Sequence, residues 1–237
     1  MSERVAIITG GAKRVGRAIV EKFAGEGFRV CFTYNSSKED AEQLARQIDG
    51  HAVQADLLDP IAAVEKIAAE FSSRFSRLDV LVNNASLYTP ADLAHTNVEL
   101  SRKLMAVHVE SPTLLCQKFA ALLRQSNGHV VNMLDVMAEK PMPGYLAYCT
   151  SKAALANLTL GLARELAPEV TVNGIAPGVV EWPNDMPQTE RDKYLQRVPL
   201  KRAGTPQDVA NVIHFLCTTG NYITGQIIRL DGGRSIV

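Results

Sequence analysis

The sequence predicts an α/β fold, in which a doubly wound parallel sheet of about seven strands carries helices on both faces. Three observations point there. Short apolar runs alternate with amphipathic segments about six times along the chain, the rhythm of strand, crossover and parallel strand. The run at 78–83, LDVLVN, is almost continuously apolar, as a strand covered on both faces must be. A glycine-rich turn, Thr9-Gly10-Gly11-Ala12-Lys13-Arg14-Val15-Gly16, follows the first run at once.

Residues 5–9 (VAIIT) form a short β-rich run that ends in glycine. Residues 16–25 follow as a helix, with Ile19 and Phe23, and Val20 and Ala24, on one face. Residues 28–34 (FRVCFTY) read as the second strand, and Ser36 or Ser37 can cap a helix that runs through Ile48. Residues 51–55 form a third strand. Asp59-Pro60 places an N-cap before a proline at the first helical position, and that helix runs to about Phe75. Beyond the strand at 78–83, a helical pattern covers about 98–125. Pro112 should kink it, because proline lacks the N–H and clashes with the preceding turn. Residues 129–134, 170–175 and 226–230 are the remaining strands, and residues 146–166 a long helix. Thr205-Pro206 opens the last helix, with Asp208 in its first turn.

The rhythm breaks between Pro177 and Pro199, a polar, proline-rich segment expected to be a loop with a short helix. Long loops in compact domains tend to be lids or binding loops, so residues 179–198 are expected to cover a substrate. No linker or repeat interrupts the remainder, and residues 1–237 read as one domain.

Composition excludes several functions. At 46% hydrophobic and 21% charged residues, the chain can form a core and is not disordered. Lysine plus arginine equals aspartate plus glutamate at 25 each, so the global basic footprint of a nucleic-acid binder is absent. No stretch approaches ~18 apolar residues, so no membrane span is expected. The first apolar run is too short for a secretory signal. Cys31, Cys116, Cys149 and Cys217 are scattered, without a C-x-x-C pair, as reduced thiols of a cytoplasmic protein would be. No His, Cys or Asp cluster has metal-ligand spacing, and no catalytic metal is expected.

The glycine turn joins the first strand to the first helix, where backbone N–H groups can face a phosphate. Gly10, Lys13, Arg14 and Val15 are its candidate contacts, although a plain strand-to-helix turn has a similar composition. An NAD-selecting chain places a carboxylate after the second strand, for the ribose hydroxyls. Here Tyr34-Asn35-Ser36-Ser37 stands there, with Lys13 and Arg14 nearby, so a 2′-phosphate would be accepted and NADPH is favoured over NADH. Ser36 or Ser37 can serve as N-cap at the same time. Tyr148-Cys149-Thr150-Ser151-Lys152 puts a tyrosine and a lysine on one helix face. The lysine, beside an oxidised nicotinamide, would favour the phenolate, and the phenol could give a proton as hydride arrives. Taken alone, such a pair is often no more than a solvated helix face. Asn83-Asn84-Ala85-Ser86 and Pro177-Gly178 end strands at the carboxyl edge, where open α/β sheets bind ligands. Asp231-Gly232-Gly233 reads as a structural turn.

TGGAKRVG, Asp56, NNAS, YCTSK, APG and ITG…DGG stand in an order that resembles the short-chain dehydrogenase/reductase family over essentially the whole chain. The resemblance implies a Rossmann-type fold, a catalytic Tyr148 and Lys152, and a homotetramer paired through its long helices. Asp56 and Leu57, with Asn84, Ala85, Ser86, Pro177 and Gly178, complete the cofactor set it implies. The chain departs from the family in three places. Arg14 replaces the middle glycine of the turn. Asp135 stands thirteen residues before Tyr148, where most members carry a carbonyl-polarising serine. His108 replaces a helix asparagine, usually part of a proton relay; a satisfied core histidine is the plainer reading.

These departures, with Asn-Ala-Ser and the aromatic Tyr88, resemble the pteridine reductases. That resemblance implies a pterin stacked on Tyr88, with Arg14, Ser86, Asp135 and Tyr148 contacting it. The subgroup's arginine after the second strand is Ser36 here. A flat pterin with a reducible C=N bond suits an aromatic ring and an acid better than a carbonyl-polarising serine. The plainer readings, Asp135 as a turn residue and Tyr88 as a surface ring, carry less weight, whereas Trp182 is as readily a loop packing residue as a substrate cover. The leading expectation is NADPH-dependent reduction of a dihydropterin such as dihydrobiopterin, dihydromonapterin or dihydrofolate. The alternatives are a carbonyl reductase of 3-oxoacyl thioesters or ketones, and a non-catalytic dinucleotide sensor.

Overall fold

Every expected strand forms, and each pairs in parallel with its neighbours. The structure, a computed structural model, describes residues 3–183 and 186–237. The strands are β1 (Val5–Ile8), β2 (Arg29–Tyr34), β3 (His51–Gln54), β4 (Val80–Asn83), β5 (His129–Met133), β6 (Thr171–Pro177) and β7 (Ile227–Leu230). They lie in the order β3-β2-β1-β4-β5-β6-β7 in one seven-stranded sheet. The order reverses between β1 and β4, and a crevice opens there at the carboxyl ends of the strands.

Alternation along each strand divides the core in two. Ala6 and Ile8 of β1 and Phe32 of β2 pack with one set of helices. These are α1 (Arg14–Gly25), α2 (Lys38–Ile48) and α8 (Pro206–Leu216). Val5, Ile7 and Cys31 face the other set, α3 (Pro60–Ser72), α5 (Ser111–Ser126) and α6 (Leu146–Glu165). Phe23, Phe32 and Phe71 are fully buried, each stabilising the fold by about 1.5–3 kcal/mol. Thr205 and Asp208 form a reciprocal capping box at the start of α8, at 3.0 and 2.9 Å. Cys31, Cys116, Cys149 and Cys217 are all free and buried. Among the described residues, no helix is long and apolar enough to cross a membrane.

The structure departs from the sequence expectation at several helices. The helical pattern at 98–125 forms without a break, but it is not α-helical throughout. It is α4 (Val98–Met105), a π-helical turn (Ala106–Glu110) and α5. Pro112 lies in the first turn of α5, where its missing N–H is tolerated, and the π turn relieves the mismatch upstream of it. Helix α3 stops at Ser72, because the Ser73 hydroxyl turns back to the Glu70 carbonyl at 2.7 Å. Ser37 is the N-cap of α2, but its side chain makes no capping hydrogen bond. The loop after β6 carries the short helix α7 (Gln188–Gln196); Asn184 and Asp185 of the expected covering loop lie outside the described residues.

Candidate active site

The crevice is a cavity of about 1170 Å³, lined by the glycine turn, the ends of β2, β4, β5 and β6, and the loop after β6. Gly10, Lys13, Arg14, Val15, Tyr34, Asn35, Asp56, Leu57, Asn84 and Ala85 all reach it. So do Ser86, Tyr88, Asp135, Tyr148, Lys152, Pro177, Gly178 and Trp182. Ser36 and Ser37 are not among its lining residues. Lys13 pairs with Asp40 at 3.0 Å, and the Asn35 amide donates to Asp56 at 3.4 Å. The Asp56 carboxylate also accepts the Leu58 N–H at 3.1 Å.

Backbone approach shapes the glycine turn. A Cβ on Gly16 would stand 2.0 Å from the Gly10 carbonyl oxygen. Asn84 locks the turn to the end of β4, its amide donating to the Thr9 and Gly10 carbonyls at 2.9 and 3.1 Å. Thr9 Oγ1 in return accepts the N–H groups of Asn84 and Ala85, at 2.9 and 3.0 Å. Gly16→Ala is therefore expected to destabilise by about 1–3 kcal/mol, lowering Tm by roughly 2–12 °C. A thermal melt matching the parent would contradict this packing. Arg14 holds the left-handed conformation, φ 54°, that glycine adopts more readily. Its guanidinium lies 2.6 Å from the Glu181 carboxylate, which joins the turn to the loop after β6.

Tyr148 and Lys152 lie one turn apart on α6. The Lys152 ammonium is buried and donates to the Met133 carbonyl at 2.8 Å. Burial pushes it down to about 8, against the pull of the Asp135 carboxylate. Asp135 caps a 3-10 turn (Val136–Ala138) by accepting the Met137 N–H at 2.8 Å, and its other oxygen accepts the Tyr148 hydroxyl at 2.9 Å. The turn role and the contact with Tyr148 thus coexist. Burial raises the Asp135 carboxyl above its ordinary range, while the Met137 and Tyr148 donors hold it back. Burial, then the Asp135 charge, pushes the Tyr148 phenol up. In the chain itself these surroundings favour the neutral phenol; the phenolate expected beside an oxidised nicotinamide belongs to the cofactor-bound site.

His108 sits in the π turn, 1% exposed, between Ser86 Oγ at 2.8 Å and Ser151 Oγ at 2.8 Å. It is a buried histidine whose ring nitrogens are all partnered. Tyr88 is 51% exposed and stacks on Tyr145, centroids 4.8 Å apart, with its edge against Tyr148 at 5.0 Å. Trp182 packs edge-on against Tyr194 at 5.4 Å. The Tyr194 hydroxyl accepts the Val179 N–H at 3.1 Å and so anchors the start of the loop. Tyr145, Ser151, Glu181 and Tyr194 escape the sequence reading. Tyr145 and Ser151 each stand three residues from Tyr148, a helical spacing that could have found them. Asp231 accepts the Gly233 and Ser235 N–H groups at 2.9 and 2.6 Å, a structural turn. Among the described residues, no group of three or more His, Cys, Asp or Glu is placed to hold a metal.

Known proteins share this architecture. A family model described as enoyl-(acyl carrier protein) reductase matches residues 10–235. Pteridine reductase 1 of Leishmania tarentolae is 33% identical, over 98% of this chain and 96% of that one. A 3-oxoacyl-acyl-carrier-protein reductase of Aquifex aeolicus is also 33% identical, over 97% and 96%. Among solved structures, a metagenomic blue fluorescent protein in complex with NADPH superposes with a TM-score of 0.91 at 30% identity, over 98% of both chains. A Serratia marcescens short-chain dehydrogenase/reductase double mutant gives a TM-score of 0.91 at 33% identity, over 98% of both chains. With the sheet order, the glycine turn and the Tyr148–Lys152 pair in place, these matches establish that the chain is an oxidoreductase of the short-chain dehydrogenase/reductase family.

Proposed function

We propose that this oxidoreductase uses NADPH to reduce a dihydropterin, such as dihydrobiopterin, dihydromonapterin or dihydrofolate, to its tetrahydro form. One observation carries the reading: Asp135 Oδ2 accepts the Tyr148 hydroxyl at 2.9 Å, at the position where a carbonyl reductase needs a neutral hydroxyl. A carboxylate there opposes a developing oxyanion but suits protonation of a ring nitrogen. Tyr88 beside Tyr148 offers a ring face to a flat heterocycle.

The cavity suits the dinucleotide. Gly10, Lys13, Arg14, Val15 and Gly16 line it at the first turn of α1, where a pyrophosphate could face helix N–H groups. Gly10, Val15, Asn84, Ala85 and Ser86 would hold it, with Asp56 and Leu57 beyond, and Pro177, Gly178 and Lys152 on the nicotinamide side. When bound, NADPH supplies the hydride to the substrate C=N carbon. Tyr148 gives the proton to the nitrogen, Asp135 takes up a proton from solvent and passes it back to the Tyr148 oxygen, and Lys152 anchors to the floor of the site. The chain acts as a single domain, 1–237, in a cytoplasmic homotetramer. Light scattering at the mass of one chain would overturn that assembly.

The test is NADPH oxidation with dihydrobiopterin, compared with a diketone and a 3-oxoacyl thioester. Turnover of the pterin supports the reading; turnover of only the carbonyl substrates overturns it. The 3-oxoacyl thioester is the second reading, favoured by the equal identity of the Aquifex relative. For the cofactor, Asn35 and Lys13 at the cavity edge, with no carboxylate at the end of β2, favour a 2′-phosphate. Two charge-assisted hydrogen bonds at ~1.5–3 kcal/mol each give at least about a tenfold preference for NADPH in kcat/KM. Equal values for NADPH and NADH would sink that claim.

A further inference from the structure

Behind the cavity wall runs a hydrogen-bonded chain that the proton transfer above does not use. His108 Nε2 is 2.8 Å from Ser86 Oγ and accepts the Leu87 N–H at 3.2 Å. His108 Nδ1 is 2.8 Å from Ser151 Oγ, and the Ser151 hydroxyl donates to the Tyr148 carbonyl at 2.7 Å. The two ends of this chain fix every proton in it. A backbone N–H only donates, so Nε2 carries a lone pair. A neutral imidazole has one N–H, so it is on Nδ1 and points at Ser151. A carbonyl only accepts, so the Ser151 hydrogen points at Tyr148 and its oxygen receives the Nδ1–H. Ser86 then donates its hydrogen to that same lone pair, which it shares with the Leu87 N–H. Burial, reinforced by Lys152, holds the imidazole down to about 2, so the neutral form persists.

We infer that His108 is a positioning residue that fixes Ser86 as a hydrogen-bond acceptor toward the cavity. With its hydrogen turned inward, Ser86 Oγ offers only lone pairs to the Tyr148 phenol and to any ligand that lies against it. It therefore selects a ligand that presents an N–H or O–H at that point, as the amino and ring N–H edge of a pterin does. A carbonyl oxygen finds no donor there. The same ring ties the 86–87 segment to α6, so the acceptor is held on a rigid wall. The choice of ligand rests on the pterin reading; the proton arrangement does not.

Two measurements test it. In protein labelled with ¹⁵N-histidine, the His108 signals, assigned by their loss in His108→Asn, are expected to show a protonated Nδ1 and a bare Nε2. An Nε2–H tautomer or an imidazolium overturns the proposal. The second measurement is steady-state kinetics with dihydrobiopterin. Glutamine at 108 can place an amide oxygen near the Nε2 position, restoring an acceptor for Ser86 and Leu87. Asparagine reaches only the Ser151 side and frees the Ser86 hydroxyl. His108→Asn is expected to raise the dihydrobiopterin KM about tenfold with kcat within a few-fold, the loss of one hydrogen bond. His108→Gln should restore most of that loss, and the NADPH KM should stay near that of the parent in both. Equal KM values for the two folded variants overturn the selective role. A parent that turns over no pterin overturns the functional reading instead, and the tautomer spectrum then decides this proposal alone.

Discussion

Tyr148→Phe is expected to lower kcat by about 10²–10⁴ while leaving the fold and NADPH binding in place. The ring is buried and packs with Leu104, Ala147 and Cys149, and phenylalanine keeps those contacts. Its hydroxyl donates to Asp135 at 2.9 Å and also lies against the Ser86 side chain. Removing it costs about 1 kcal/mol of stability and leaves one carboxylate oxygen without its donor. Burial and the Asp135 charge favour the neutral phenol, which suits the proposed role of proton donor in reduction. No other hydroxyl in the described site is bonded to that carboxylate, so no neighbour replaces it. Turnover is read from NADPH oxidation at saturating dihydrobiopterin, and cofactor affinity from nucleotide fluorescence. A kcat within a few-fold of the parent takes Tyr148 out of the chemistry.

The sheet was legible because a parallel strand buried on both faces needs an apolar centre, and Val80-Leu81-Val82 and Val130-Val131 supply it. Helix starts were legible where a local group fixes them. Asp59 accepts the Ala62 N–H at 3.2 Å, and Thr205 and Asp208 cap each other. What failed depends on contacts distant in sequence. The π turn at 106–110 places His108 between Ser86 and Ser151, partners 22 and 43 residues away, which no periodicity encodes. The surroundings of the Tyr148 phenol were hidden for the same reason. The i,i+4 lysine is visible in the sequence, whereas burial and a carboxylate from the end of β5 are not. Arg14 is a different case. Its replacement of a glycine was plain, but only the backbone shows that it still takes the glycine conformation, φ 54°. The presence of Ser36 and Ser37 at the β2 end was equally plain, yet the chain turns into α2 and leaves them off the cavity wall.

Asp135→Ser is expected to lower kcat/KM for dihydrobiopterin by about 10²-fold or more and to raise a weak ketone activity by about tenfold. The local fold should survive, because serine is as good an N-cap as aspartate and its shorter hydroxyl can still accept the Met137 N–H. What changes is charge. The Asp135 carboxylate is the second cause, after burial, of the raised Tyr148 phenol, so its removal makes that phenol easier to ionise. It also strips the buried Lys152 ammonium of a nearby negative group. For a ring nitrogen, the variant lacks the carboxylate that takes up a solvent proton and passes it to the Tyr148 oxygen. For a carbonyl oxygen, it gains a neutral donor in place of a negative charge that repels the developing oxyanion. The two substrates should therefore respond in opposite directions to one substitution. That crossover cannot come from general destabilisation, which lowers both. The measurement is kcat/KM of parent and variant on dihydrobiopterin and on a simple diketone. If ketone reduction rises while the parent ignores every pterin tested, the chain is a carbonyl reductase hindered by Asp135, and the pterin assignment falls. If both activities fall together, Asp135 serves the fold of the 3-10 turn rather than the choice of substrate.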